Sequence, residues 1–167
     1  IKLVSAARPA HRLKSYDTSR AHLVASVENS LRALRTDRID LLLIHRPDAL
    51  MDADEVAVAF EALRAAGKVA HFGVSNFTPA QTEALHAHLD IPLIATQPEF
   101  SAHHLAPLRD GTLDQCMRLG IAPMAWSPLA GGRIITGEGV RTELSVALDR
   151  VGAAVGVDRA TAALAFV

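Results

Sequence analysis

The run "IDLLLIHRPD", Ile39 to Asp48, places five apolar residues around one aspartate and then ends on His45, Arg46 and Pro47. Apolar residues that continue without alternating mark a strand covered on both faces, and sheets covered on both faces are typically parallel. Such a strand has no reason of its own to finish on an imidazole. What His45 meets is the question the rest of the chain has to answer.

Upstream, "RAHLVASVENSLRALR" (20–35) sets Leu23, Val27, Leu31 and Leu34 at helical spacing, the stripe of a helix with one buried face, and Asp17, Thr18 and Ser19 offer its cap. Downstream the alternation repeats. "DADEVAVAFEALRAAGK" (52–68) is an acidic-started helix closed by Gly67, followed by a strand over Val69 to Ser75. "TPAQTEALHAHL" (78–89) begins another helix, with Thr78 as cap and Pro79 in the first helical position. A third strand is expected over Leu93 to Gln97, a short helix in "DGTLDQCMRLG" (110–120), and a fourth strand over Ala122 to Trp126. The loop "AGGRIITGEG" (130–139) and two helical stretches, 141–155 and 159–167, complete the chain.

Strand and helix alternating about every 25 residues is the rhythm of β/α units joined by right-handed crossovers. Two architectures fit. A doubly wound open sheet often shows a glycine-rich first turn, and no G-x-G-x-x-G follows a strand here. A (β/α)8 barrel gathers its chemistry at the C-terminal ends of its strands but needs about 250 residues, so 167 could hold only part of one.

With 50% hydrophobic residues the chain can bury a real core, and its length predicts a single domain over 1–167. Seventeen Lys plus Arg balance eighteen Asp plus Glu, which gives nucleic acid or an anionic membrane nothing to hold; the expected partner is a small molecule. No apolar run reaches the roughly 18 residues that span a bilayer. Cys116 has no second cysteine to pair with, which suits a reducing compartment, and a cytoplasmic location is the expectation.

Each strand ends in polar residues: His45 and Arg46, then Ser75 and Asn76, then Thr96 and Gln97, then Trp126 and Ser127. In a barrel these ends would converge. Amides pair with a carboxamide, an aromatic face stacks on a flat ring, and an imidazole polarises a carbonyl, so this set suits a flat polar ligand. Taken singly, each residue has an ordinary structural use; four in succession shift the balance toward a site. A metal is not expected, because His86 and His88 are two apart on a helix and diverge, while His103 and His104 are adjacent in a loop. The "AGGR" loop lacks the G-K-[ST] ending of a nucleotide triphosphatase loop.

Taken together and in order, "LLLIHRPD", "GKVAHFGVSNFTPAQ", "TQPEFS" and "MAWSPLAGGR" resemble the aldo-keto reductases, and "YDTSR", "DALMDADEVAVAF" and "DGTLDQCMRLG" resemble a bacterial branch typified by YdhF-like oxidoreductases. The resemblance implies a partial (β/α)8 TIM barrel, roughly strands four to seven with their helices. It also implies reduction of an aldehyde or ketone to an alcohol with NADPH, NADH being possible, and a small-molecule carbonyl as substrate. In that family a Tyr protonates the carbonyl oxygen, helped by a Lys, an Asp and a His; here His45 matches the His. Ser75, Asn76 and Gln97 match the residues that hold the cofactor's carboxamide, and Trp126 matches the aromatic that stacks on the nicotinamide. Ser127, Leu129 and Gly132 match the loop against the pyrophosphate.

The same resemblance places the Asp and Tyr in a first third that this chain does not carry, and the Lys just before Ile1. Lys2, Lys14 and Tyr16 are then not expected to substitute for them. Both ends read as cuts, so the chain is expected to be a fragment, inactive alone. The alternative is a truncated, non-catalytic half-barrel that serves as a binding or partner-assembly module.

Overall fold

The computed structural model describes residues 2–3 and 16–167. Five strands form one sheet in the order β1 (Lys2–Leu3), β2 (Ile39–Ile44), β3 (Val69–Ser75), β4 (Leu93–Gln97) and β5 (Ala122–Pro123). β1 to β4 pair in parallel, each with the next along the chain. The helices between and after them are α1 (Arg20–Leu34), α2 (Ala53–Ala65), α3 (Pro79–His86), α4 (Thr112–Leu119), α5 (Arg133–Thr136), α6 (Thr142–Val155) and α7 (Arg159–Phe166).

The local signals act where they stand. Ser19 Oγ accepts the His22 N–H to start α1. Asp52 Oδ1 takes the N–H groups of Asp54 and Glu55 to start α2. At α3 the exchange is reciprocal: Thr78 Oγ1 accepts from Gln81 N–H at 3.2 Å, and Gln81 Oε1 accepts from Thr78 N–H at 2.9 Å. That capping box satisfies two donors the first turn would otherwise leave without partners.

Two differences from the sequence reading concern strands. β1 is two residues long, too short to show any period, and was not foreseen. β5 stops at Pro123 rather than running to Trp126. Proline has no N–H to give a ladder, so pairing lapses there and resumes only at Trp126, which bridges Glu99 in parallel.

The chain forms two compact units, one made of residues up to Gln97 with Gln115–Ala122, the other of Pro98–Asp114 with Pro123–Val167. In the first, one face of the sheet and its helices bury Leu23, Val27, Leu42, Val56, Phe60, Phe72, Val74 and Leu85 in a single core. Phe60 and Phe72 stack there with ring centroids 4.1 Å apart, fastening α2 to β3. On the sheet's other face Leu43, Gly73 and Ala95 are neighbours across β2, β3 and β4. The register slips by one between Phe72 and Gly73, where Gly73 pairs with Ala95. A Cβ on Gly73 would lie 2.4 Å from the Ala95 carbonyl oxygen and 2.5 Å from Leu43 Cδ2, so close approach of the chains requires glycine here.

The second unit has a smaller core of Ala102, Ala130, Ile134, Leu148, Ala162 and Ala163. α7 is tied to α6 by Arg159, whose Nε and Nη2 both donate to the Asp149 carboxylate, at 2.7 and 2.5 Å. Gly152 on α6 lets the main chain at Val157 pass so close that a Cβ would sit 2.5 Å from its carbonyl oxygen. Among the described residues no helix is long and apolar enough to cross a membrane.

Candidate active site

β2, β3 and β4 run side by side, so their C-terminal ends bring His45, Ser75, Asn76 and Gln97 together in the first unit. Ser75 faces Gln97 in the ladder. The Gln97 carbonyl accepts twice, from the Asn76 N–H at 3.1 Å and from the Ser75 hydroxyl at 2.9 Å. The Asn76 side-chain nitrogen donates twice, to the His45 carbonyl at 2.9 Å and to Ser75 Oγ at 2.9 Å. These bonds link the ends of three strands through one asparagine.

Asn76 has spent both side-chain N–H groups, so its side chain addresses anything further through Oδ1, an acceptor. Gln97 Oε1 is enclosed and has no hydrogen-bond partner among the described residues. An enclosed amide oxygen without a donor costs about 1–3 kcal/mol. The Gln97 oxygen therefore suits a ligand that brings N–H groups.

Asn76 sits at φ 61°, the left-handed region, one residue past the end of β3. Asparagine tolerates that region better than any residue except glycine. The turn aims its side chain back at the strand ends instead of along α3, whose cap is Thr78. Ser75 is wholly enclosed, and its hydroxyl proton goes to Gln97, so it acts here by holding Asn76. His45 is half-buried at the end of β2.

In the second unit Trp126 is half-buried, with its N–H bonded to the Pro98 carbonyl at 3.0 Å. The loop after it is tightly wound: Ser127, Ala130, Gly131 and Gly132 all have positive φ, at 52°, 52°, 67° and 92°. The carbonyl of Leu129 accepts from Gly132 N–H and Ile134 N–H, and Arg133 Nε donates to the Ala130 carbonyl at 2.9 Å. Among the described residues, glycines at 131 and 132 meet no neighbouring atoms at the Cβ position, leaving the backbone open to close approach.

Lys2 lies in β1 beside Leu43, and Lys14 falls outside the described residues. Tyr16 is half-buried ahead of α1. Among the described residues no three His, Cys, Asp or Glu side chains are grouped to hold a metal ion; His88 Nδ1 pairs instead with Asp54, at 2.6 Å. Sequence reading gave no role to Glu99 and Phe100, although they stand inside the "TQPEFS" motif, because nothing local shows that they pair with Trp126.

Comparison with known proteins decides the family. The model of the aldo/keto reductase family matches residues 4–161. This chain belongs to the aldo/keto reductase family. It is 52% identical over 159 residues to the uncharacterized oxidoreductase YcsN of Bacillus subtilis (strain 168), covering 92% of this chain and 53% of the relative. To the oxidoreductase YdhF of Escherichia coli (strain K12) it is 49% identical over 154 residues, covering 90% of this chain and 52% of YdhF. Among solved structures, the aldo/keto reductase from Klebsiella pneumoniae in complex with NADP and acetate superposes with a TM-score of 0.78 at 28% identity, covering 90% of this chain and 52% of that one. The fold is that of a partial (β/α)8 barrel, and the chain spans about half the length of the curated relatives it matches.

Proposed function

We propose that this aldo/keto reductase chain carries the nicotinamide-handling part of an NADPH-dependent enzyme, NADH being possible, that reduces aldehydes or ketones to alcohols. The whole of 1–167 is read as one incomplete barrel domain, acting on a small-molecule carbonyl in the cytoplasm. The observation that carries the reading is the enclosed Oε1 of Gln97, without a hydrogen-bond partner among the described residues, beside the network Asn76 organises.

A nicotinamide carboxamide is a planar group with two N–H donors and one acceptor, and it fits what these residues offer. Gln97 Oε1 would accept from it, held in place beside Asn76 and Ser75. Trp126 would lend its face to the ring, and the backbone at Ser127, Leu129 and Gly132, with glycine's freedom of approach, would meet the pyrophosphate. When bound, the cofactor supplies a hydride to the carbonyl carbon. His45 would donate to the carbonyl oxygen and orient it while a proton arrives there from a separate acid. That acid matches no residue of this chain, so the chain alone should bind cofactor and not turn over.

Titration with NADP+ tests this, followed by calorimetry and by the fluorescence of Trp126, the sole tryptophan. The wild-type chain should bind and its fluorescence should fall. Gln97→Leu, which keeps the bulk and deletes the amide, should weaken binding about 10-fold, the worth of one buried bond. Equal affinity in both proteins refutes the carboxamide assignment, and an unchanged fluorescence at saturation removes Trp126 from the stacking role. If the chain oxidises NADPH with a carbonyl substrate and His45→Ala abolishes it, the assignment of the proton donor elsewhere is wrong. The alternative, a non-catalytic binding or assembly module, is separated by the intact mass of the protein in its native cell. A mass near 17.8 kDa favours the module, and one near twice that favours the enzyme.

A further inference from the structure

Trp126 is held through its backbone by one short segment of the second unit. Its N–H donates to the Pro98 carbonyl at 3.0 Å, and its own carbonyl accepts from the Phe100 N–H at 3.3 Å, the two bonds of the bridge with Glu99. The direction in which Trp126 leaves the main chain therefore follows the position of residues 98–100.

That segment is itself fixed at two points. After Phe100 comes Ser101, wholly enclosed, whose Oγ accepts the N–H groups of His103 at 3.2 Å and His104 at 3.0 Å while its backbone exchanges two bonds with His104. Phe100 packs its ring on Phe166 of α7, centroids 5.9 Å apart and planes at 39°. Phe100 is 9% exposed, whereas Phe166 remains 48% exposed, so the Phe166 ring serves chiefly as a lid on Phe100. α7 begins on a firm polar anchor, with Asp158 Oδ1 accepting the Thr161 N–H at 2.7 Å and Arg159 clasping Asp149. Its far end rests on this aromatic pair.

We propose that Phe100 and Phe166 are positioning residues that set the pose of the Trp126 indole, so that α7 controls the aromatic plate from a distance. This rests on the stacking role proposed for Trp126. The two phenylalanines act through the main chain of residues 98–100. Loss of the Phe166 ring should loosen Phe100, and with it the strand bridge that aims Trp126.

Because Trp126 is the only tryptophan, its emission reads this pose directly. In the purified 167-residue chain, Phe166→Ala should shift the emission to longer wavelength and raise the acrylamide quenching constant about two-fold, the lower end of what an aromatic pair is worth as a population ratio. Phe166→Tyr should restore the wild-type values. Leu164→Ala, on the same helix and equally exposed, should leave them unchanged. If Phe166→Ala does not fold by far-ultraviolet circular dichroism, Phe166→Leu takes its place with a smaller shift in the same direction. An unchanged quenching constant in the folded variant overturns the proposal, as does an equal change in Leu164→Ala. If the shift is seen but NADP+ leaves wild-type fluorescence untouched, the coupling stands and the stacking role falls.

Discussion

Replacing Gly73 by alanine separates two arguments that give opposite signs. From propensity alone, alanine in a strand interior should stabilise by about 0.5–1 kcal/mol, because glycine loses more freedom on folding. The packing says otherwise. The new Cβ would stand 2.4 Å from the Ala95 carbonyl oxygen and 2.5 Å from Leu43 Cδ2. Leu43 can turn its branch away, but the Ala95 oxygen belongs to the backbone of β4 and can yield only if β3 and β4 part by about 1 Å to reach ordinary contact. Two residues further on, the same strand pair carries the Asn76 N–H and Ser75 hydroxyl bonds to Gln97, at 3.1 and 2.9 Å. Parting by that much takes both beyond hydrogen-bond range. Overpacking at about 1–3 kcal/mol plus two bonds at about 1 kcal/mol each predicts a net loss of about 2–5 kcal/mol. Urea unfolding followed by circular dichroism measures it, and NADP+ titration should show weakened binding in the same variant. A Gly73→Ala protein as stable as wild type, or more so, refutes the steric argument and with it the claim that glycine is required at the slip in register.

Asn76→Gly should lose about 1–3 kcal/mol for its two side-chain bonds, and Asn76→Ala about 1 kcal/mol more, because alanine must also hold a left-handed backbone at φ 61°; equal urea midpoints for the two variants would discount that strain. Phe60→Ala removes a wholly buried ring stacked on Phe72 and should cost about 3–5 kcal/mol in the same assay. The Asp149 carboxyl is held below its ordinary value of 3.8 by hydrogen bonds from Arg159, and Asp158 below the same value by the Thr161 N–H. A lowered folded value means the stabilisation is present above the ordinary carboxylate range and drains away as pH falls through the folded value. Melting temperature should therefore drop on acidification below about pH 4, and the drop should shrink in Asp149→Asn, measured by thermal melts across that range.

Much of the architecture was legible in the chain because its causes are local. The unbroken apolar run from Ile39, the Thr78–Pro79 start and the glycines at 67 and 120 act within a few residues of themselves, and β3 and β4 fall where their patterns place them. The candidate site residues of the first unit were legible only as positions at strand ends, since parallel register carries those ends to one edge. Their division of labour was not. Residue type alone makes Ser75, Asn76 and Gln97 three equivalent polar groups, whereas the structure spends both Asn76 donors on its neighbours and encloses Ser75. It also leaves Gln97 with an acceptor to offer.

Hydrophobic period and capping chemistry thus determined, from sequence alone, where β2, β3, β4 and the longer helices lie and that these strands run parallel. Tertiary structure decided the rest: the slip at Gly73, the grip of Pro98 and Phe100 on Trp126, and the contact of Phe100 with Phe166. Each of these depends on register and approach distance between residues about 20–65 positions apart, and a period-2 or period-3.6 pattern specifies a face without specifying what lies across from it.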